Sequence, residues 1–478
     1  MTKETTEQIE EMFHPNSIAF VGIPSDPTNP IAELFIDPIF QFGFKGEVYP
    51  VNPRGGEIMG MKAYPNIREI PGPVDYVVAT TPARSATKLM EDCAAKGVKV
   101  VQFFSSGFSE TGQEEDKSLE DEVIRIAREG GVRVVGPNCM GLYCPKGKLS
   151  FWGEFPKESG PVSYICQSGG NSIHLVQMGA PRGIRFSKVI SYGNASDINE
   201  SDLLEYFAQD PETEIICLYV EGVRSGKRFA DTLSKAASVK PVILLKGGLA
   251  EAGTRAAASH TGALTTSNDL WDALCKQLGI IRVDSLEELS DLLVTFSFMP
   301  PMRGSNTIIA GAGGGASVLA ADDCESQGVA VPQLPKEIMD RLLEFTPQAG
   351  NSVRNPIDSQ LIIWEPERFI ETIRIVSDWD GADLILGLLL STDIYPAWTS
   401  YKNMYELMAK TMLQSSESSK KPMAMVIQPG IRPKMSKETF AAQKDFASTG
   451  IPVYPSVSRA ACAIRKFVEY NQWRENTG

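Results

Sequence analysis

Hydrophobic positions in this chain fall in short continuous runs rather than in strict alternation with polar ones. In the first third the runs are SIAFVGI from Ser17, VYPVNP from Val48, VDYVVATTP from Val74, VKVVQFFSSGF from Val98 and VRVVGPNCMG from Val132. Val-rich runs of this kind suit strands covered on both faces. Helix-like stretches such as ARSATKLMEDCAAKG from Ala83 separate them. Strand–helix alternation predicts right-handed crossovers and a parallel, doubly wound sheet. Such sheets bind ligands at the carboxyl ends of their strands. Those ends here read GIPSD, VNPRG, TTPA, FSSGF and GPNC, rich in turn formers and small polar residues.

The pattern then starts again twice. The stretch CPKGKLSFWGEFPKESGP from Cys144 reads as a linker. Strands follow at VSYICQSGG from Val162, SKVISYGN from Ser187, IICLYVEG from Ile215 and PVILLKGG from Pro241. SFMPPMRGSN from Ser297 reads as a second boundary, after which NTIIAGAGGGASVLAADDCESQG from Asn306 opens a third unit continued by LILGLLLS, MAMVIQPG and IPVYPS. The units are not obvious repeats, but each follows the plan strand, glycine-containing turn, helix. The expected fold class is α/β, with three consecutive doubly wound parallel-sheet domains over residues 8–145, 158–298 and 304–472.

A length of 478 residues agrees with two or three domains. The net charge of -13 argues against nucleic acid or an anionic membrane as main partner, while leaving room for a local basic pocket. The start, MTKETTEQIEEMF, has no apolar core of a signal peptide, and LILGLLL is too short to span a bilayer. The eight cysteines form no C-x-x-C pair and have no His at ligand spacing, so neither a metal site nor a disulfide framework is expected, and a reducing cytoplasm fits.

There are three histidines, His14, His174 and His260. His260 stands in AGTRAAASHTGAL among small residues, which predicts an accessible loop just before a helix starting near Ser267. A neutral imidazole can accept a phosphoryl group, and a carboxylate can fix its tautomer and stabilise the charge that develops. A capping or core histidine is the other reading. In CQSGGNS, after the strand VSYIC, the residues Ser168, Gly169 and Gly170 would present backbone N–H groups at a helix N-terminus, which favours an anion. The plain reading is a tight turn with Ser168 as cap. Glu221 ends the strand IICLYVEG, where an α/β sheet places catalytic groups; it could equally be a solvated strand-end carboxylate. The first strand is followed by V-G-I-P-S-D-P-T-N-P, which lacks a dinucleotide fingerprint, and VNPR rather than an acidic residue ends the second strand, so a nicotinamide dehydrogenase fits poorly. The glycine loop GAGGGAS from Gly311 lacks the lysine of a P-loop.

The run KGGLAEAGTRAAASHTGAL from Lys246 resembles the phosphohistidine segment of ADP-forming acetyl-CoA synthetases, relatives of succinyl-CoA synthetase. GFKGEVYPVNPRGGEIMGMKAYPNI, DYVVATTPA, GFSETG, GPNCMG, ICQSGG, YGNASDINESDLLEYFAQDPET and LYVEGVRSGKRF resemble that NDP-forming family in the same order. Beyond Gly304 the glycine loop and RNPIDS from Arg354 are the main links. The resemblance implies a Rossmann-like CoA-binding domain followed by two flavodoxin-like domains. It implies that His260 carries phosphate with Glu221 as its carboxylate partner, that Ser168, Gly169 and Gly170 hold phosphate, and that CoA contacts Gly22, Asn52, Arg54, Thr81, Pro82, Asn138 and Cys139. Pro24, Pro27 and Pro30 replace the family's more glycine-rich turn and each removes a backbone donor.

No ATP-grasp signature stands in the chain. The resemblance therefore implies a separate ATP-grasp β subunit that holds the Mg-nucleotide in an α2β2 assembly, with CoA, a carboxylic acid and phosphate as the small-molecule partners and no tightly bound metal in this chain. The alternative is a non-catalytic CoA- or acyl-CoA-binding regulatory protein on the same scaffold; His260, Glu221 and CQSGG argue against it. His174, in NSIHL, stands where relatives carry small or aliphatic residues. It is either a structural histidine or, with Asn171, part of an acyl pocket.

Overall fold

A computed structural model of the chain describes residues 3–24, 30–255, 268–389, 404–430 and 433–477. It divides into two compact units, Met1–Ala180 with Arg185–Leu289, and Pro181–Ile184 with Ser290–Gly478.

The first unit holds two sheets. One comprises β1 (Ser17–Val21), β2 (Glu47–Val51), β3 (Tyr76–Ala79), β4 (Val100–Phe103) and β5 (Arg133–Val135), all parallel, in the order β2-β1-β3-β4-β5. Every residue of β1 is buried, because successive side chains enter opposite layers. Ile18 and Phe20 join one core and Ala19 and Val21 the other. That two-sided burial is why the strand runs lack alternation. The second core is closed by Leu89, Met90 and Cys93 of the helix α3 (Ala86–Lys96) and by Val123, Ile124 and Ala127 of α4 (Glu114–Glu129). Helices α1 (Lys3–Phe13) and α2 (Pro30–Phe42) precede them. Acidic Glu114, Glu115 and Asp116 open α4 and Arg128 closes it, complementing the helix dipole.

The second sheet comprises β6 (Gly141–Tyr143), β7 (Val162–Cys166), β8 (Phe186–Ser191), β9 (Ile215–Val220), β10 (Val242–Lys246) and β11 (Ile281–Val283), in the order β11-β10-β9-β7-β8-β6. Its helices include α5 (Gly169–Gly179), α6 (Glu200–Gln209), α7 (Gly226–Val239) and α8 (Asn268–Leu278). All its pairings are parallel except that of β6 with β8. The sheet is thus mostly rather than wholly parallel. The stretch from Cys144 also differs from the expected linker: Leu149, Phe151 and Phe155 are buried, and the Tyr143 hydroxyl donates to the Pro156 carbonyl at 2.6 Å. Phe155 meets Tyr143 edge-on at 4.9 Å, so aromatic burial outweighs the Pro, Gly and Lys content that reads as a linker.

The second unit carries β12 (Thr307–Gly311), β13 (Ile357–Asp358), β14 (Leu384–Leu389), β15 (Met423–Ile427) and β16 (Val453–Tyr454), all parallel, in the order β13-β12-β14-β15-β16. Counting parallel strands within each sheet, all three share the order 2-1-3-4-5. The switch points therefore lie between β1 and β3, β7 and β9, and β12 and β14, where such sheets open a crevice for ligands. Among the described residues no helix is long and apolar enough to cross a membrane.

Candidate functional site

The second sheet's switch point brings together two segments that lie far apart in sequence. Tyr219 of β9 pairs with Cys166 of β7, so both strands end at the same level. Directly beyond them stand Glu221 and Gln167. The buried Gln167 amide oxygen accepts from the backbone N–H of Glu221 at 2.7 Å and of Gly222 at 3.2 Å. Gln167 thereby fixes the turn that carries the Glu221 carboxylate against the turn that starts α5.

Glu221 is 7% exposed, so the solvated-carboxylate reading does not hold. The Tyr219 hydroxyl donates to its Oε1 at 3.1 Å. Burial and then the Glu221 charge push the Tyr219 phenol up, which keeps that donor protonated. The Glu221 carbonyl accepts from Lys246 Nζ at 2.8 Å, and the Lys246 ammonium also reaches the Gly247 carbonyl. Burial holds the Lys246 pKa below its usual value; the ammonium lies 5.6 Å from the centre of the Trp271 ring. Lys246 thus ties the Glu221 turn to the start of the segment that leads to His260. His260 itself, with the rest of 256–267, lies outside the described residues.

Ser168 caps α5, its hydroxyl accepting from the Asn171 N–H at 3.3 Å. Gly170 is exposed, and a Cβ placed there would meet nothing within 4 Å. The first turn of α5 is thus open at Gly170, and the unpaired N–H groups of a helix N-terminus make it a favourable place for an anion. His174 is exposed and has no hydrogen-bond partner among the described residues, contrary to the structural-histidine reading.

The first sheet's switch point is built alike. Gly22 follows β1 with φ +91°, and a Cβ there would stand 2.7 Å from the Thr81 methyl. Only glycine fits this approach of the two turns. Thr81 Oγ1 is buried without a hydrogen-bond partner among the described residues, an atom suited to a ligand donor. Asn52 donates to the Ile23 carbonyl at 2.8 Å and accepts from the Arg54 N–H at 2.9 Å, presenting exposed Arg54 at the end of β2. Pro82 is exposed at the start of a short 3-10 turn. Asn138 takes a left-handed φ of 58° and bonds Ser105 through its N–H at 3.1 Å. Cys139 differs from the others: its thiol turns inward toward the Phe103 and Val135 carbonyls, and burial raises its pKa strongly.

These two switch points belong to one unit and are joined. Met140, next after Cys139, packs so closely on the first turn of α5 that a Cβ on Gly169 would stand 2.5 Å from its Cγ. Glu120 of α4 accepts from Ser109 Oγ at 2.7 Å, Ser196 Oγ at 2.5 Å and Arg224 at 3.4 Å, linking the first sheet's loops to the turn after Glu221. Lys246, Arg224 and Glu120 are given no role by the sequence reading, and Gln167 stands there only as part of the CQSGGNS motif, without a role of its own. The available signal was a polar residue ending a wholly buried strand, as at Gln167 and Lys246. Among the described residues, no group of three or more His, Cys, Asp or Glu is arranged to hold a metal ion.

Comparison with known proteins adds the following. Residues 159–296 match the family described as succinyl-CoA ligase like flavodoxin domain, and residues 16–145 the CoA binding domain. The chain is 33% identical over 475 residues to the alpha subunit of ADP-forming acetate–CoA ligase I of Pyrococcus furiosus, covering 98% of each. It is 31% identical to the ADP-forming 4-hydroxybutyrate–CoA ligase of Nitrosopumilus maritimus, over 97% of this chain but 64% of that longer one. The dinucleotide-forming acetyl-coenzyme A synthetase 1 of Candidatus Korarchaeum cryptofilum, solved with phosphate and ADP, superposes with a TM-score of 0.80 at 30% identity, covering 98% of each chain.

Proposed function

The chain belongs to the family of ADP-forming acyl-CoA synthetases, as a counterpart of their alpha subunits, and from that premise we propose how its residues divide the reaction. The reaction is acyl-CoA + phosphate + ADP ⇌ carboxylic acid + CoA + ATP. CoA is a substrate, bound by the first domain. Its contacts are Gly22, Asn52, Arg54, Thr81, Pro82 and Asn138, with Cys139 acting through its backbone and its inward packing.

Phosphate sits at the start of α5 on Ser168, Gly169 and Gly170. A phosphate oxygen attacks the thioester carbonyl, the C–S bond breaks, and CoA leaves as the thiol once it takes a proton. A nitrogen of His260 then attacks the phosphorus of the acyl phosphate, the P–O bond breaks, and the carboxylate leaves. Glu221 orients the imidazole and offsets the positive charge that grows on it. Finally an oxygen of the ADP β-phosphate attacks the phosphorus and the P–N bond breaks, restoring neutral His260. ADP is held with Mg on a separate ATP-grasp β subunit in an α2β2 assembly in the cytoplasm.

The observation that supports this reading most is the clamp of Gln167 on the Glu221 turn, which sets a buried carboxylate beside an open helix N-terminus at a switch point. The test is Glu221→Gln in the chain assembled with its partner. Turnover should fall ~10²–10⁴-fold, as when the carboxylate behind a reacting imidazole is removed, with CoA affinity by calorimetry nearly unchanged. A wild-type rate would take Glu221 out of the reaction.

A further inference from the structure

We propose that the space behind Met140 receives the acyl group and that Met140 sets how bulky that group can be. This rests on the reaction assigned above. When an acyl group passes between a thiol and phosphate, its carbonyl carbon must stand where the two sites meet. Within the first unit that place is Met140, which follows the first-sheet turn at Asn138 and touches Gly169 at the start of α5.

Behind Met140 lies a cavity of about 20 Å³. Its walls include Ile18, Phe20, Phe35, Val78, Leu142 and Phe151. Among the described residues lining it, Met140 alone is not buried, which makes it the cover between the cavity and the accessible surface beside Gly169. An unbranched thioether side chain can swing aside or repack around a small guest at little cost. His174 lines no part of this space.

The few polar groups at the cavity are already committed. Gln102 donates to the Met140 carbonyl at 2.9 Å and accepts from the Tyr76 hydroxyl, and Ser150 donates to the Trp152 carbonyl at 2.7 Å. Among the described residues, no Lys, Arg or His stands in the lining. A second carboxylate on the substrate would be buried there without a counter-charge, which is strongly unfavourable. The volume is little more than the ~10–15 Å³ that holds one water, so without movement of Met140 it admits one methyl-sized group. The walls thus select against dicarboxylates by charge and against branched or aromatic acids by size.

The experiment uses the chain assembled with its nucleotide-binding partner and compares kcat/KM for acetate, propionate, isobutyrate, phenylacetate and succinate. Wild type should favour acetate and propionate and use succinate poorly. Met140→Ala should raise isobutyrate and phenylacetate relative to acetate about tenfold or more, the scale of one or two methylene groups in a pocket. Met140→Phe should narrow the range toward acetate, and Leu142→Ala, on another wall, should broaden it as Met140→Ala does. Thermal unfolding verifies that each variant is folded. An unchanged ranking, an equal loss on every acid, or a wild-type preference for succinate would overturn the assignment of Met140 while leaving the reaction itself standing. A wild-type assembly that activates no acid would overturn both.

Discussion

Glu200 opens α6 with 1% of its surface exposed, and its Oε2 has no hydrogen-bond partner among the described residues. Burial pushes its pKa from 4.5 up to about 7; the N–H groups of Glu200 and Arg224 oppose this less strongly. Between those two values the unfolded chain has released the proton and the folded chain still holds it. Stability therefore falls as pH rises through that window and, for this group, is level above it. Glu200→Gln keeps the shape without the charge, so relative to wild type it should gain ~1–3 kcal/mol at pH 8 compared with pH 5. Urea unfolding of both proteins at the two pH values measures this, and parallel pH profiles would contradict it. Nothing in NESDLLEYF distinguishes Glu200 from the acidic residue expected in any first helical turn. Burial by a neighbouring loop makes the difference, and that is a tertiary fact. Gln167 stood in the CQSGGNS motif, but its role could not be read for the same reason: that role exists only once β9 lies beside β7. Gly22, by contrast, could be read from sequence because a tight turn after a strand is a local demand.

At the scale of elements, the long Val- and Ile-rich strands were legible because both of their faces are buried. The three-residue strands β6 and β11 were not, since so few residues carry no periodicity and depend on a neighbour already in place. β8 illustrates how such a neighbour can include charge. Its Lys188 is 1% exposed and pairs with buried Asp210 at 2.9 Å and with Glu212 at 2.9 Å. The aromatic rings of Phe13 and Tyr206 flank the same ammonium at 5.9 and 5.8 Å, so α1 and α6 share in its burial. Removing one partner of a buried pair leaves the other charge uncompensated. Lys188→Ala should cost about 3–5 kcal/mol in chemical unfolding, and adding Asp210→Asn to Lys188→Ala should recover part of that. If the double variant were no better than the single one, the cost would come from lost packing rather than from the stranded carboxylate.

For the whole molecule, one strand order used three times supplies three crevices at switch points. In the first unit, Met140 and the Glu120 network join two of them, so the proposed thiol and phosphate sites face one place. The linking residues come from both parts of that unit, which is why sequence order alone separated what the fold unites. The central claim is that a phosphoryl group leaves this place on His260. The direct measurement is incubation of the assembled enzyme with γ-labelled ATP, followed by mapping of the label on this chain. The account predicts an acid-labile, base-stable phosphoramidate on His260 that discharges when acid and CoA are added and is absent in His260→Ala. A His260→Ala enzyme that is still labelled and still active would contradict it.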